Sequence, residues 1–362
     1  MLLPIRAGLR PSAVFRSLNN LMREVLLASC SGRPIDESTL PCGLLVAAQA
    51  NPDTNTHLLN LHTAIAALNP MDRYELYLGT REAASVRLLF TDPNSSTLDI
   101  SDTVNIELKK LSIHLFKNSS KLVDIATACG ETVKDHYNRY SAKPPLGNGN
   151  ICGMCATEQL AQKRRNVAAS DQWRAPYDHL LAKDKYPQFG IDPDNLLPIC
   201  HTCNSKAKLA KDLLHNTAGL RRTFFDPWVE SAHQKVALKI EFIDIFPTAT
   251  WKITTTDPIN QNKLTTWNDV YQIKDRIEGE FISLREKLSE DLIFDDLEVF
   301  KTSIENKAKI RLRSSRLTPY NYWRGLLYSS MLELSDHQLE HLRALCIASL
   351  NLDDDIAATY GV

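Results

Sequence analysis

The chain has 362 residues, of which 43% are hydrophobic and 23% charged, with a formal net charge of −1. That length buries a core without disulfide or metal staples, and the composition excludes collagen-like, low-complexity and largely disordered classes. No run approaches the roughly 18 apolar residues a membrane-spanning helix needs, the longest candidate near Gly43–Ala50 being far shorter, so no membrane partner is expected.

Residues 1–140 read as a helical N-terminal domain. Val14, Leu18, Leu21, Val25 and Leu26 recur at helical spacing. The same stretch holds four arginines and no acid before Glu24, a composition shared with transit peptides, but the stripe reads as a first core helix. Arg6 and Arg10 interrupt any signal-peptide core, so a cytoplasmic location is expected. Apolar stripes continue through 56–68 and 103–128, with breaks at Pro41, Pro52, Pro70 and Pro93. His57, His62 and His114 lie in or near such stripes and are read as packed or surface residues. Loop-forming residues 141–150 mark a boundary, and no GxxxxGK[ST] phosphate loop occurs in the chain.

A second segment, 150–215, carries the chemistry, and 220–362 reads as a mainly helical C-terminal domain that serves as a scaffold. Its start alternates, with Leu238, Ile240 and Phe242 against Lys239 and Glu241, then Trp251 and Ile253 against Lys252 and Thr254, which predicts a short β-pair. Val270, Ile273, Ile277, Phe281, Leu284 and Leu288 predict one amphipathic helix. More helices are expected over 295–313, 320–334 and 336–350, the last opened by a Ser335/Gln338 capping box. The fold class is therefore α+β, mostly helical.

Charge is uneven. Between Lys134 and Arg222 there are 14 basic and 8 acidic residues, a surplus of +6, while the remainder carries −7. A basic centre between acidic flanks is the footprint expected where phosphates are contacted. Lys206 and Lys208 are the candidate nucleic-acid contacts within it.

Eight cysteines divide into two groups. Cys30, Cys42, Cys129 and Cys346 are singletons, read as buried thiols, whereas Cys152-Gly-Met-Cys155 and Cys200-His-Thr-Cys203 are two CxxC knuckles separated by 44 residues. Each knuckle aims two thiolates at one point, and four thiolates satisfy a tetrahedral structural Zn²⁺. A disulfide pair and a redox CxxC are the alternatives, disfavoured by the lack of a secretory signal and by the duplication. Such a site carries a net charge of −2 that Lys206, Lys208 and Lys163-Arg164-Arg165 can offset. His201 is read as a surface residue, because four cysteines already complete the set.

Between the knuckles the chain runs Pro176-Tyr-Asp178-His179-Leu-Leu-Ala-Lys-Asp-Lys-Tyr-Pro187, and then Asp194-Asn195-Leu-Leu-Pro-Ile-Cys200-His-Thr-Cys203-Asn204-Ser-Lys206. Over residues 150–212 this resembles the HNH endonuclease family, the ββα-metal or His-Me finger nucleases. It is similar above all to a bacterial subgroup in which an aromatic–Pro segment, here Phe224-Phe225-Asp226-Pro227, leaves the finger. The resemblance implies a zinc-stabilised ββα-metal finger that hydrolyses DNA phosphodiester bonds. It also implies a role as a nuclease effector of bacterial defence against foreign DNA, in proteins that sometimes act beside an ATPase or sensor partner.

Phosphodiester hydrolysis needs a base to activate water, a divalent cation to neutralise developing charge, and a rigid frame. By the resemblance, His179 is the general base, Asp178 and Asn204 are oxygen ligands of a catalytic Mg²⁺ or Mn²⁺, and Asn195 holds the loop after His179 by side-chain hydrogen bonds. Asn204 stands where the family's last letter is His, which keeps an oxygen ligand for a hard cation. The zinc, closed by four thiolates, activates no water. A second Asp-His pair, Asp135-His136, lacks the Asn-Leu-x-Pro-x-Cys sequel and is read as accidental. The rival reading is a non-catalytic zinc finger that docks nucleic acid or a partner protein.

Overall fold

The computed structural model describes residues 1–162, 164–168 and 171–360, with side chains up to 351. The chain forms two compact units, one built from Ile5–Asn150 and Leu160–Glu230, the other from Met1–Pro4, Ile151–Gln159 and Ser231–Val362. The first cysteine knuckle belongs to the second of these units, with the C-terminal part of the chain. Backbone amides of Leu2 and Leu3 both donate to Gly153 O at 2.9 Å, and the buried indoles of Trp267 and Trp323 donate to Met154 O at 3.0 Å and Cys155 O at 2.8 Å.

The first unit is a helical frame around a minimal sheet. Helix α1 (Ala13–Ser31) starts at the Ser12 cap and stops at Gly32, whose φ of 69° is the left-handed conformation that glycine adopts without steric cost. Helices α2 (Leu44–Ala50), α3 (Pro52–Ala66), α4 (Pro70–Glu82) and α5 (Val86–Thr91) follow. Pro52 and Pro70 do lie at breaks between helices, each at the first position of the helix that follows, behind Asn51 and Asn69 caps, where the missing N–H costs nothing. The stripe over 103–128 is two helices, α6 (Asp102–Asn118) and α7 (Val123–Cys129). Helix α8 (Val133–Ser141) opens with a reciprocal capping box between Thr132 and Asp135. Val14, Leu18 and Leu21 of α1 are fully buried, each contributing roughly 1.5–3 kcal/mol on leaving water.

Strands β1 (Tyr177–His179) and β2 (Leu196–Pro198) then pair antiparallel, with Asp178 opposite Leu197 and His179 opposite Leu196. A seven-residue π-helix, Thr202–Lys208, comes next. Aromatic packing fixes β1 against the frame: Phe15 of α1 meets the Tyr177 ring edge-on at 5.2 Å, and Phe116 of α6 meets the His179 ring at 4.2 Å.

In the second unit, β3 (Val236–Ile243) and β4 (Phe246–Ile253) form a hairpin whose turn places Asp244 at φ 56°. Val236, Leu238 and Ile240 face inward, as their alternation predicts. The helix expected over 270–288 is interrupted. Gln272, at φ 53°, ends α9 (Pro258–Tyr271) and begins α10 (Ile273–Glu280), and α11 (Leu284–Ser289) restarts after residues 281–283. The apolar spacing survives because all six stripe residues remain buried in one core. Helices α12 (Leu297–Ala308), α13 (Leu312–Ser315), α14 (Asn321–Met331) and α15 (Asp336–Tyr360) complete the chain, with the Ser335/Gln338 box formed at the start of α15. Helices thus dominate two small antiparallel sheets, an α+β architecture. No helix among the described residues is long and apolar enough to cross a membrane.

Candidate metal centre and catalytic cluster

The ligand atoms of Cys152, Cys155, Cys200 and Cys203 all lie within 4.8 Å of one another, and all four residues are fully buried. Zn–S bonds of about 2.3 Å set sulfurs roughly 3.8 Å apart in a tetrahedron, so the cluster is of the size zinc requires. The sulfurs also receive hydrogen bonds suited to thiolates. Thr157 donates to Cys155 Sγ from its hydroxyl at 3.1 Å and its amide at 3.4 Å, and Cys203 N donates to Cys200 Sγ at 3.4 Å. Arg276 in turn donates to Thr157 Oγ1 at 2.9 Å, fixing that hydroxyl. These four cysteines can hold a metal such as zinc. None of the eight forms a disulfide; the remaining four include exposed Cys42 and half-buried Cys30 and Cys129 as well as buried Cys346.

At the end of β1, His179 is 7% exposed and its Nε2 lies 2.9 Å from Gly190 O. A carbonyl accepts only, so Nε2 carries the proton and donates, and the lone pair of the neutral imidazole sits on Nδ1. Burial, with the Lys183 charge reinforcing it, holds the imidazole down to about 3, so the ring is neutral around pH 7.

Asn195, fully buried, is the clamp behind this histidine. Its Oδ1 accepts from Leu181 N at 2.6 Å, and its Nδ2 donates to Leu181 O at 3.0 Å and Phe189 O at 2.8 Å. One amide therefore ties the residues just after His179 to those just before Gly190. Sequence reasoning missed Gly190 itself. A Cβ there would sit 1.9 Å from Ser112 Oγ of α6, so only glycine lets the carbonyl reach the imidazole at this spot. The signal available was a Gly eleven residues beyond the Asp-His pair.

Asp178 is buried beside His179 with its two oxygens in different states. Oδ1 accepts from Lys208 Nζ at 3.1 Å, whereas Oδ2 is buried and has no hydrogen-bond partner. Burial pushes this carboxyl above its usual range, with the Lys208 ammonium opposing that rise. Lys208 is only 2% exposed, and Nζ also donates to His179 O at 2.7 Å. This corrects the expectation of a solvent-facing phosphate contact: the aliphatic stem and head are enclosed because the buried carboxylate needs a cation. Lys206, by contrast, is exposed.

Asn204 is half-buried on the π-helix that also carries Cys203 and Lys208, and its backbone amide donates to Cys200 O at 3.1 Å. The helix thus joins a metal-centre cysteine to the cation that holds Asp178. His201 is exposed. His136, set aside as accidental, is buried, and its Nδ1 lies 2.5 Å from the Tyr177 hydroxyl, so it supports β1 from α8. Of the basic run 163–165, Lys163 lies outside the described residues. No family model, no curated protein and no solved structure matches this chain.

Proposed function

We propose that the chain is a metal-dependent HNH-type endonuclease that hydrolyses DNA phosphodiester bonds, with zinc as the structural metal of its four cysteines. One observation carries the reading: a neutral, buried imidazole whose Nε2 is committed to a backbone carbonyl, next in sequence to a buried carboxylate with one unpartnered oxygen. Nδ1 of His179 takes the proton of the attacking water, Gly190 O and Asn195 hold the ring in that tautomer, and Phe116 limits its rotation.

Asp178, whose buried Oδ2 has no hydrogen-bond partner, and Asn204 of the π-helix would hold a Mg²⁺-like ion through oxygen. When bound, Mg²⁺ or Mn²⁺ neutralises charge on the scissile phosphate and the departing oxygen. Lys208 keeps Asp178 in place, and its ammonium favours the charged carboxylate against the opposing effect of burial. Exposed Lys206 contacts the phosphate backbone, and the basic surplus around it favours a polyanionic substrate. Defence against foreign DNA, beside an ATPase or sensor partner that restrains cleavage, is the setting this chemistry suits.

The test is plasmid cleavage in Mg²⁺ or Mn²⁺ by the full chain and by His179→Ala, with zinc content measured on the same preparations. Cleavage is expected to fall by roughly 10²–10⁴-fold while zinc is retained. Wild-type rates in the variant, or no cleavage by the parent alone or with a co-purifying partner, would favour the non-catalytic zinc finger.

A further inference from the structure

A cavity of about 190 Å³ in the first unit lies between α1, the end of α4 and the segment 188–192. An apolar cavity of about 150 Å³ already admits a benzene-sized molecule, so this one has room for a compact organic ligand. Met22 and Leu26 of α1, together with Leu98 and Phe189, give it apolar walls. Two of these walls are fixed in place. Leu98 seats on Gly79 of α4, where a Cβ would collide with the leucine side chain, and Phe189 O accepts from Asn195 Nδ2 at 2.8 Å. The site is therefore preformed, as small-molecule sites usually are.

The polar lining divides into spent and unspent groups. The Thr80 hydroxyl donates to Leu76 O at 2.7 Å, and Ser85 Oγ accepts from Leu88 N at 3.2 Å. Asp192 is half-buried; its Oδ1 accepts from Asp194 N at 2.8 Å, while its Oδ2 is open to the cavity and has no partner among the described residues. The side-chain amides of Asn19 and Gln188, both half-buried, have no partner among them either. Arg23, one turn after Asn19 on α1, is exposed, and its guanidinium reaches Arg81 O at 3.4 Å. Arg23 and Asp192 thus line one cavity without forming an ion pair with each other. Burial, with the Asp194 charge adding to it, pushes the Asp192 carboxyl up to about 7, a cost that an ammonium group beside it would remove. Opposite charges held apart over an apolar wall are the complement of a molecule that carries both charges and an apolar body.

We infer that this cavity binds a small zwitterion of the apolar amino-acid class, its ammonium on Asp192, its carboxylate on Arg23 and its side chain against Met22, Leu26, Leu98 and Phe189. A guanidinium fork matches a carboxylate, and bonds between charged groups are about twice as strong as neutral ones. Asn19 and Gln188 each offer a donor and an acceptor, so they serve either end of the ligand. A simple anion would meet Asp192 and a simple cation would meet Arg23, so a ligand with one charge is repelled as well as attracted. The inference does not rest on phosphodiester cleavage, for none of these residues is the proposed base or a proposed metal ligand.

The experiment is calorimetric titration of the full chain with L-leucine, at about pH 8 to keep Asp192 ionised. Matched titrations use isocaproate, which is leucine without the ammonium, and isoamylamine, which is leucine without the carboxylate. Leucine should bind at least about tenfold tighter than either. Asp192→Asn and Arg23→Gln should each weaken leucine about tenfold or more, with circular dichroism confirming that the variants fold. The comparison of three ligands needs no variant, and no DNA is present, so this site and the nuclease reading can fail separately. No leucine binding up to about 10 mM, equal affinity for leucine and either single-charge compound, or unchanged leucine binding in either folded variant would overturn the proposal.

Discussion

Replacing Lys208 by Met separates a buried structural cation from a surface phosphate contact. The side chains of Lys208 and Asp178 are 3% and 5% exposed, so the substitution leaves a carboxylate in a dry site with Oδ2 already unpartnered and Oδ1 newly so. Breaking such a pair from one side costs about 3–5 kcal/mol, a large part of the roughly 5–15 kcal/mol that holds a typical domain together. His179 O loses a donor in the same step. With a urea dependence of about 1–3 kcal/mol/M, the unfolding midpoint should fall by about 1 M or more, read by circular dichroism. Asp178→Asn in the Lys208→Met background should recover part of the loss, since the stranded charge is then gone. Lys206→Met, at an exposed position on the same short helix, should stay within about 0.5 kcal/mol of the parent. If Lys208→Met unfolds like the parent and only weakens DNA binding, the buried pair is wrong and Lys208 is a surface contact after all.

Zinc should be present at about one per chain, and Cys200→Ser should lose it together with the fold around the knuckles, as measured by metal analysis and proteolysis. Gly190→Ala should destabilise by about 1–3 kcal/mol and cut plasmid cleavage while zinc stays bound, because the new methyl meets Ser112 and shifts the carbonyl that orients His179. Acid should unfold the first unit in part through His136, which burial holds down to about 4, alongside His179, which burial holds down to about 3. An unfolded imidazole titrates near 6.5, so between that value and the folded one the unfolded state binds the extra proton and stability falls as pH falls, by on the order of 3 kcal/mol for His136. His136→Gln should flatten that part of the stability profile, measured by urea unfolding between pH 7 and 4.

Local chemistry made much of the fold and site legible. The knuckles announced a four-sulfur cluster because CxxC spacing is a property of one turn, and the hairpin 236–253 announced itself by strict alternation. The breaks at Gln272 and at 119–122 were not legible, since apolar spacing records which residues face the core and is blind to one left-handed residue or a short turn between two helices. Nor was the division of the chain. The indoles that grip the first knuckle lie more than 100 residues beyond it, and nothing near Met154 or Cys155 foretells them. Lys208 was misread for the same reason: a lysine in a basic stretch looks solvated until the strand carrying Asp178 is folded against it.

The Asp178–Lys208 pair also bears on function through its cost. Two apolar side chains of the same volume would hold β1 to the π-helix at least as well, because desolvating a carboxylate and an ammonium consumes most of what their attraction returns. A pair kept only for stability would also be expected to satisfy both carboxylate oxygens, as most buried polar atoms do. Here Oδ2 is left without a partner on the residue preceding an imidazole whose Nε2–H is fixed, while Oδ1 and His179 O share a single ammonium. The arrangement spends stability to present one free carboxylate oxygen and one free imidazole lone pair at the end of the same short strand. A scaffold gains nothing from either, whereas hydrolysis at a phosphate needs an acceptor for a water proton and an anionic anchor for a cation within reach of each other. Asp178→Leu in the Lys208→Met background puts this to measurement: it should match or exceed the parent in urea stability while abolishing cleavage, and retained cleavage would show that the carboxylate serves the fold alone.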